Sequence, residues 1–596
     1  MSVCFVALTE RGGVLARSLV SSLADAEVHG RQGRVKNADV FFDSTLDHLR
    51  QVFSSGQPII GFCAAGILIR ALAPLLSDKT TEPPVIAISE DGKSIVPLLG
   101  GHKGANRLAK QLADLSGGHA ALTTAGDVAF GIALDEPPEG WNVSNPDQAK
   151  DIMAGVLAGE SVKLDVQAGD AAWLSESELP ISETSDRVIR ISHEDGSDKF
   201  TLHPPVLVLG VGCERGADPA EVIELMEATL KTHGLAKGAV ACVASIDVKM
   251  DEVAVHALAD HLSVAARFYS AAELEQQSSR LVNPSDVVFQ EVGCHGVSEG
   301  AALACVGEAG ALIVPKTKSK RATVAIGLAS GNIDAETCGR RRGRLSVVGI
   351  GPGKPDWRTP AVTKAISHAS DVVGYKLYLD LLGGLIDGKT RHMSELAQEE
   401  DRVRKSLDLA AEGRDVALVC SGDAGIYALA TLAFELVDRE NRDDWNRLLI
   451  EVEPGVSAIQ AAASRIGAPI GHDFCTISLS DLLTPWEEIK RRLSAAAAGD
   501  FVVAFYNPVS KRRRHQLEFA RDTLLDKRPA ETPVMLARNL GREEETITYI
   551  TLGELTADHA DMLTLVLVGN SQSRLIEQGG HQRVYTPRGY AAKLSG

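Results

Sequence analysis

Three short turns in the C-terminal part of the chain have the composition of ligand-binding loops. Leu345-Ser346-Val347-Val348 runs into Gly349-Ile350-Gly351-Pro352-Gly353. Asp415-Val416-Ala417-Leu418-Val419 ends in Cys420-Ser421-Gly422-Asp423-Ala424-Gly425-Ile426-Tyr427, and Leu449-Ile450-Glu451-Val452 ends in Glu453-Pro454-Gly455-Val456-Ser457-Ala458. Glycine after a parallel strand lets backbone approach a ligand closely, and open α/β sheets bind ligands beyond the carboxyl ends of their strands. Lys354 stands where a GxGxxG dinucleotide pattern needs its last glycine, so the first turn is not that fingerprint. A fourth turn lies far upstream, where Ser94–Leu99 leads into Gly100-Gly101-His102-Lys103-Gly104-Ala105-Asn106-Arg107. A strand-to-helix turn offers free N–H groups and a positive dipole end, suited to a carboxylate or an oxyanion. His102 can move a proton near neutral pH there, with Lys103 beside it. Gly293-Cys294-His295 invites a Cys–His nucleophile, but neighbours on a strand point to opposite faces.

The elements around these turns alternate short β-branched runs with helical stretches, the pattern of α/β domains. The chain reads as an N-terminal α/β domain over 1–135, a polar and less periodic middle domain over 136–204, and a further α/β domain over 205–328. The last of these opens with Val206-Leu207-Val208-Leu209 entering a glycine turn at Gly210-Val211-Gly212. A linker over 329–344 has small, polar and basic residues without apolar period, and the final domain covers 345–596.

With 596 residues, the chain has room for roughly three to five domains. A formal net charge of -18 disfavours generic nucleic-acid binding. The nine cysteines form no CxxC pair, so neither a zinc ribbon nor a disulfide framework is indicated and no metal site is expected; Leu345–Gly596 holds only Cys420 and Cys475, so no iron–sulfur centre is expected there. No secretory signal opens the chain, and the apolar run Ile59–Ile69 is about half the length a membrane span needs, so the expectation is a soluble cytoplasmic protein.

The residues from Leu345 to Pro587 resemble the tetrapyrrole methylase family, the class III methyltransferases. The likeness is nearest to its precorrin-3B C17-methyltransferase branch. It rests on Asp371–Leu379, Ser421–Tyr427, the run from Gly471-His472-Asp473-Phe474 through Ser478-Leu479-Ser480-Asp481-Leu482-Leu483-Thr484-Pro485-Trp486, Phe505-Tyr506-Asn507-Pro508 and Val568-Gly569-Asn570-Ser571. The resemblance implies two α/β subdomains with S-adenosylmethionine as cofactor. By position, its contacts fall on Pro352, Gly422, Asp423, Ala424, Ile426, Ser457, Ala458, Asn507 and Leu540. Relatives often carry an acidic residue where this chain has Lys354, which removes any carboxylate role there. Methyl transfer from a sulfonium needs an aligned carbon nucleophile, and ring contraction needs proton traffic, for which His472 and Asp473 are candidates; helix entry or capping is their structural alternative. Arg512 and Arg513, in the run Lys511–Arg514, are candidates for pairing with the carboxylates of the macrocycle, against the alternative of a solvated face.

Upstream, Gly66–Leu76, Gly100–Asn106 and Leu122–Asp127 occur in an order that resembles the cobalt-precorrin-5A hydrolases of cobalamin biosynthesis. The likeness continues through Gly140–Val143, Gly210–Gly216, Ala244–Lys249, Val297–Glu299 and Val314–Lys316. That family opens a lactone and releases acetaldehyde. Lactone opening needs an activated water and a stabilised oxyanion, for which His102 with Lys103 nearby are the candidates; Arg215, Lys249, Glu299 and Lys316 are candidates for a polar cluster that holds substrate carboxylates or assists the chemistry, against the alternative that Lys249 and Lys316 are ordinary solvated lysines. The expectation is therefore a bifunctional enzyme acting on tetrapyrrole or corrin intermediates, a homodimer through its methyltransferase domain. The alternative is a methyltransferase fused to a non-catalytic module that binds and delivers a corrin intermediate. Whether the substrate carries cobalt stays open.

Overall fold

The computed structural model describes residues 3–20, 23, 26–77, 81–196, 199–395, 398–510 and 513–590, without the side chains of residues 102 and 125. They form two compact units. The first comprises 1–344 with 408–415 and 442–449, and the second 345–407, 416–441 and 450–596.

The first unit opens with a seven-stranded sheet in the order Val40–Phe42, Ala26–Arg31, Val3–Ala7, Ile59–Phe62, Val85–Ile88, Ser94–Leu99, His119–Ala120. All neighbours run parallel except Val85–Ile88 and Ser94–Leu99. Ile59–Phe62 and Val85–Ile88 are apolar throughout, because helices cover both faces of a parallel sheet. One face packs under Glu10–Val20 and Ala105–Ser116, the other under Thr45–Ser54 and Ala65–Leu72.

The less periodic section builds a four-stranded sheet ordered Asn142–Ser144, Thr201–His203, Val188–Ile191, Lys163–Val166. In its core Trp141 and Trp173 meet edge to face, ring centroids 5.7 Å apart. A five-stranded sheet follows, ordered Ala265–Tyr269, Val240–Ile246, Leu207–Cys213, Ala322–Leu328, Ala311–Lys318.

Two local expectations are corrected in this unit. Gly210-Val211-Gly212 is no turn but lies inside the strand Leu207–Cys213. A Cβ on Gly210 would stand 1.8 Å from the Ser298 carbonyl oxygen, so glycine is needed for the helix Val297–Val306 to pack this closely on the strand. Gly293-Cys294-His295 is not a strand either; Gly293 caps the helix Asp286–Val292 with φ 79°. Cys294 is buried while the His295 imidazole lies 2.9 Å from the Glu275 carboxylate.

The second unit holds a five-stranded sheet ordered Thr390–Ser394, Asp371–Tyr375, Asp415–Cys420, Arg344–Gly349, Leu449–Glu453. Its second five-stranded sheet runs Phe474–Ser478, Val502–Tyr506, Thr564–Val568, Pro533–Arg538, Thr546–Thr551. In this sheet only the first pair is parallel. Gly467–Ala468, His581–Tyr585 and Arg574–Gln578 form a small third sheet.

Candidate active sites

The three C-terminal glycine turns interlock. Ile350 N–H donates to Cys420 O, and Gly351 and Gly422 exchange N–H···O bonds of 3.1 and 2.8 Å. Gly351 and Gly422 hold φ of 74° and 71°, a region that costs glycine nothing and strains other residues. The third turn closes against the first two. A Cβ on Gly455 would lie 2.2 Å from Gly422 O and 2.3 Å from Gly349 O.

Asp423 ties two of the turns together. One carboxylate oxygen accepts the Gly425 N–H at 2.8 Å and the other accepts the Gly455 N–H at 3.1 Å. Ser457 is buried and caps the helix Ala458–Ile466, its Oγ accepting the Gln460 N–H while Gln460 Oε1 accepts the Ser457 N–H. Tyr506 Oη accepts the Ile459 N–H, and burial pushes this phenol above its usual range. Tyr427, at φ 51°, donates its hydroxyl to Thr476 O at 3.0 Å and packs against Tyr506 with centroids 5.2 Å apart.

Most expected cofactor residues therefore come together: Pro352, Gly422, Asp423 and Ala424 lie on the interlocked turns, with Ser457 and Ala458 at the third. Beyond Gly422 a Cβ would meet nothing closer than Ala458 N at 4.0 Å, so open space adjoins the turn. Ile426 is partly exposed and Leu540 is buried. Asn507, at φ 49°, ends the strand Val502–Tyr506 and donates from Nδ2 to Ser478 Oγ. Backbone groups between polar and apolar side chains suit a charged nucleoside ligand.

Arg542 was missed in the sequence. Its guanidinium donates to Pro352 O at 3.0 Å and to Ser421 Oγ at 3.1 Å, bridging two turns from far along the chain. No local pattern around Gly541-Arg542-Glu543 signals this.

His472 and Asp473 do not cap a helix; they precede the strand Phe474–Ser478 at its amino end. Both are exposed, and His472 Nδ1 accepts the Asp473 N–H at 2.8 Å. In a neutral imidazole this places the proton on Nε2. Arg513 departs from the expectation of a cation facing substrate. It is buried and donates to Ser480 Oγ at 2.8 Å and to Asn507 O at 3.1 Å, bracing the Asn507 turn. Arg512 lies outside the described residues.

In the first unit, His102 and Lys103 lie in the short 3₁₀ turn Gly101–Lys103, between Gly100 at φ 73° and Gly104 at φ 95°. The His102 side chain is outside the described set. The following helix is fixed by Asn106, buried, which donates to Thr124 Oγ1 at 2.7 Å and to Asp127 Oδ2 at 2.9 Å. Lys110 pairs with Asp127 at 2.9 Å.

Glu136 also borders this turn and was not singled out in the sequence. One of its oxygens would lie 3.7 Å from a Cβ on Gly104 and is buried without a hydrogen-bond partner. Burial pushes its carboxyl up to about 7, against the nearby Arg107. A carboxyl with one buried, unpartnered oxygen and a raised ionisation range beside a His–Lys turn is a candidate acid–base group. Elsewhere in this unit a groove of about 1400 Å³ is lined by Pro138, Trp141, His203, Lys231, Lys237 and Glu336; the Gly100–Gly104 turn and Glu136 are not part of its lining.

Arg215, Lys249, Glu299 and Lys316, the expected cluster, make two sets of contacts. Arg215 donates to Asp251 at 2.6 Å and lies 3.7 Å from buried Glu252, which also faces Lys249 at 3.5 Å. Glu299 instead accepts the N–H groups of Val282, Asn283 and Lys316 and the Asn283 amide. Burial opposes its ionisation, but these donors, Asn283 foremost, outweigh it and hold the carboxyl below its usual range. Lys316 donates Nζ to Asn283 O. Glu299 thus organises a loop through these contacts.

The fold and the interlocked turns define an enzyme of the class III methyltransferase type. Residues 344–556 match the family Tetrapyrrole (Corrin/Porphyrin) Methylases, 207–327 match Cobalamin synthesis G C-terminus, and 47–127 match Cobalamin synthesis G N-terminal. The chain is 44% identical over 250 residues to precorrin-3B C(17)-methyltransferase of Sinorhizobium sp, covering 42% of this chain and 98% of the relative. It is 42% identical over 260 residues to cobalamin biosynthesis protein CobIJ of Mycobacterium bovis, spanning 42% of this chain and half of that protein's length. The crystal structure of the methyltransferase CobJ is 42% identical and aligns with 41% of this chain and all of its own, with a TM-score of 0.39. The chain belongs to the tetrapyrrole methylase family and carries cobalamin synthesis G segments ahead of its methylase domain. Among the described residues no helix is long and apolar enough to cross a membrane.

Proposed function

We propose that the chain catalyses two steps of corrin construction: C17 methylation with ring contraction in the second unit, and opening of a corrin lactone in the first. The observation that carries the methylation is the interlocking of three glycine turns within a region 44% identical to a whole precorrin-3B C17-methyltransferase. S-adenosylmethionine is the proposed cofactor, held by Pro352, Gly422, Asp423, Ala424, Ile426, Ser457, Ala458, Asn507 and Leu540. When bound it supplies an electrophilic methyl group on a sulfonium.

The chain's own residues supply alignment. Asp423 and Arg542 fix the spacing of the turns, so the cofactor surface is set before binding and little entropy remains to be lost at reaction. His472 is the proposed proton donor for ring contraction, its Nε2–H available because Nδ1 is occupied by the Asp473 N–H. Arg513 supports this site indirectly by bracing Asn507.

In the first unit, the turn Gly100–Gly104 offers N–H groups for a developing oxyanion. His102 with Lys103 is the proposed acid–base and electrostatic pair, and Glu136 is added to them. Arg215 and Lys249 remain proposed contacts for substrate carboxylates, whereas Glu299 with Lys316 orders the loop at Asn283. A homodimer through the methylase domain and a cytoplasmic location belong to the same proposal.

The test is direct. Purified protein is given S-adenosylmethionine with metal-free precorrin-3B or its cobalt-bound counterpart, and separately a lactone-bearing corrin. Gain of one methyl group and release of acetaldehyde establish both activities and the preferred metal state. Methylation without acetaldehyde from any lactone would make the first unit a binding module. Failure to methylate either macrocycle would overturn the methyltransferase assignment.

A further inference from the structure

Two donor side chains from neighbouring strands of the seven-stranded sheet meet a third from the covering helix Thr45–Ser54. Cys4 comes from the strand Val3–Ala7, His29 from Ala26–Arg31, and His48 from the helix itself. Across the parallel ladder Cys4 pairs with Glu27 and Val6 with His29, so Cys4 and His29 project from one face of the sheet. The helix covers that face with Leu49, Val52 and Phe53. Each of the three residues offers one ligand atom, and these atoms all lie within 4.8 Å of one another. Cys4 and His29 are 1% and 7% exposed.

The finer geometry resembles a ligand set more than a filled core. His29 Nδ1 and His48 Nε2 face each other at 2.8 Å. Phe42 stacks on the His48 ring at 4.3 Å, 5° from parallel, and fixes its plane. The other nitrogen of His29 is directed at the Glu27 carboxylate, 3.5 Å away. A carboxylate behind a histidine is the arrangement that orients a metal-binding imidazole and raises its basicity. One N–H···N bond between the rings accounts for two nitrogens but does not use the adjacent thiol. Two imidazole nitrogens and a thiolate form a borderline-soft set suited to Zn²⁺ or Co²⁺, with a fourth position left for water.

We propose that Cys4, His29 and His48 bind a divalent transition-metal ion of the zinc type, with Glu27 orienting His29. The ion replaces the hydrogen bond between the two rings. The thiol yields its proton to water as the metal–sulfur bond forms. The bound ion then cross-links the first two strands to the helix. This runs against the expectation of no metal site. The ligands are dispersed along the chain without a short motif, so only the parallel pairing of the strands reveals them.

The test uses the full-length protein, stripped with chelator and titrated with Co²⁺ alone. The expected result is about one tightly held Co²⁺ per chain, with a thiolate-to-cobalt charge-transfer band and the visible bands of four-coordinate cobalt. Cys4→Ser is expected to abolish the charge-transfer band. His48→Ala is expected to weaken binding by about tenfold or more. His48→Cys retains binding and strengthens the band, whereas Cys475→Ser changes nothing. Circular dichroism checks the fold of each variant, and if His48→Ala does not fold, the Cys4→Ser spectrum decides. Absence of a charge-transfer band in the wild-type protein overturns the site, as does a band unchanged in Cys4→Ser. Neither outcome depends on methyl transfer or lactone opening.

Discussion

Replacing Asp423 by alanine tests whether the cofactor surface depends on the link between the second and third glycine turns. The carboxylate accepts two backbone N–H groups, Gly425 at 2.8 Å and Gly455 at 3.1 Å. Gly425 is exposed, so water replaces that acceptor at little cost. Gly455 is half-buried, with no room for a Cβ beside Gly422 O and Gly349 O, and its N–H loses a charged acceptor. A hydrogen bond to a charged group contributes about 1.5–3 kcal/mol. If the third turn relaxes by that amount in the free protein, S-adenosylmethionine binds about ten- to hundredfold more weakly. Asp423→Asn retains one acceptor but sets an amide donor against an N–H, so its loss is expected to be similar. Calorimetric titration measures the affinity, and a thermal melt shows whether the fold survives. Binding within about threefold of wild type for Asp423→Ala, in a folded protein, would refute the link as the element that shapes the surface.

Four further outcomes follow from the same geometry. Gly455→Ala is expected to abolish methyl transfer, because its Cβ would overlap two carbonyl oxygens, while acetaldehyde release from a lactone substrate continues. Arg542→Ala is expected to raise KM for S-adenosylmethionine by about tenfold through loss of the bonds to Pro352 and Ser421, with partial recovery in Arg542→Lys, read by steady-state kinetics. His472→Ala is expected to slow ring contraction by about a hundredfold without changing cofactor affinity, measured by product mass and by calorimetry. For Glu136, the folded carboxyl is raised to about 7 by burial, so its charged form appears only as pH rises through that value. Lactone opening is therefore expected to increase from pH 6 to 8 as Glu136 becomes available as a base, and Glu136→Gln to flatten that profile and slow the reaction by about a hundredfold. The sign for stability is opposite. A carboxyl with a raised folded value stabilises the fold below its unfolded range and loses that contribution as pH rises through about 7, so wild type but not Glu136→Gln should melt at lower temperature at pH 8 than at pH 5.

What the sequence determined by itself was local pattern and ancestry. Apolar runs such as Ile59–Phe62 and Val85–Ile88 are legible because strands buried on both faces carry no polar alternation. The glycine turns are legible because positions such as Gly351 and Gly422 require backbone that other residues adopt only under strain. The ordered motifs from Gly471 to Trp486 and from Gly66 to Asp127 carried the family resemblance that the comparisons support. What only the tertiary structure decided was which side chains meet. Arg542 reaches the first two glycine turns, Glu136 borders the His102 turn, and Glu299 gathers the N–H groups of Val282, Asn283 and Lys316, because these contacts depend on sheet order and not on sequence spacing. Gly210 shows the limit from the other side: a glycine between apolar runs reads as a turn, yet here it clears a strand for a helix. Cys4, His29 and His48 are ordinary core residues in a linear reading. A parallel register and one covering helix bring their donor atoms together.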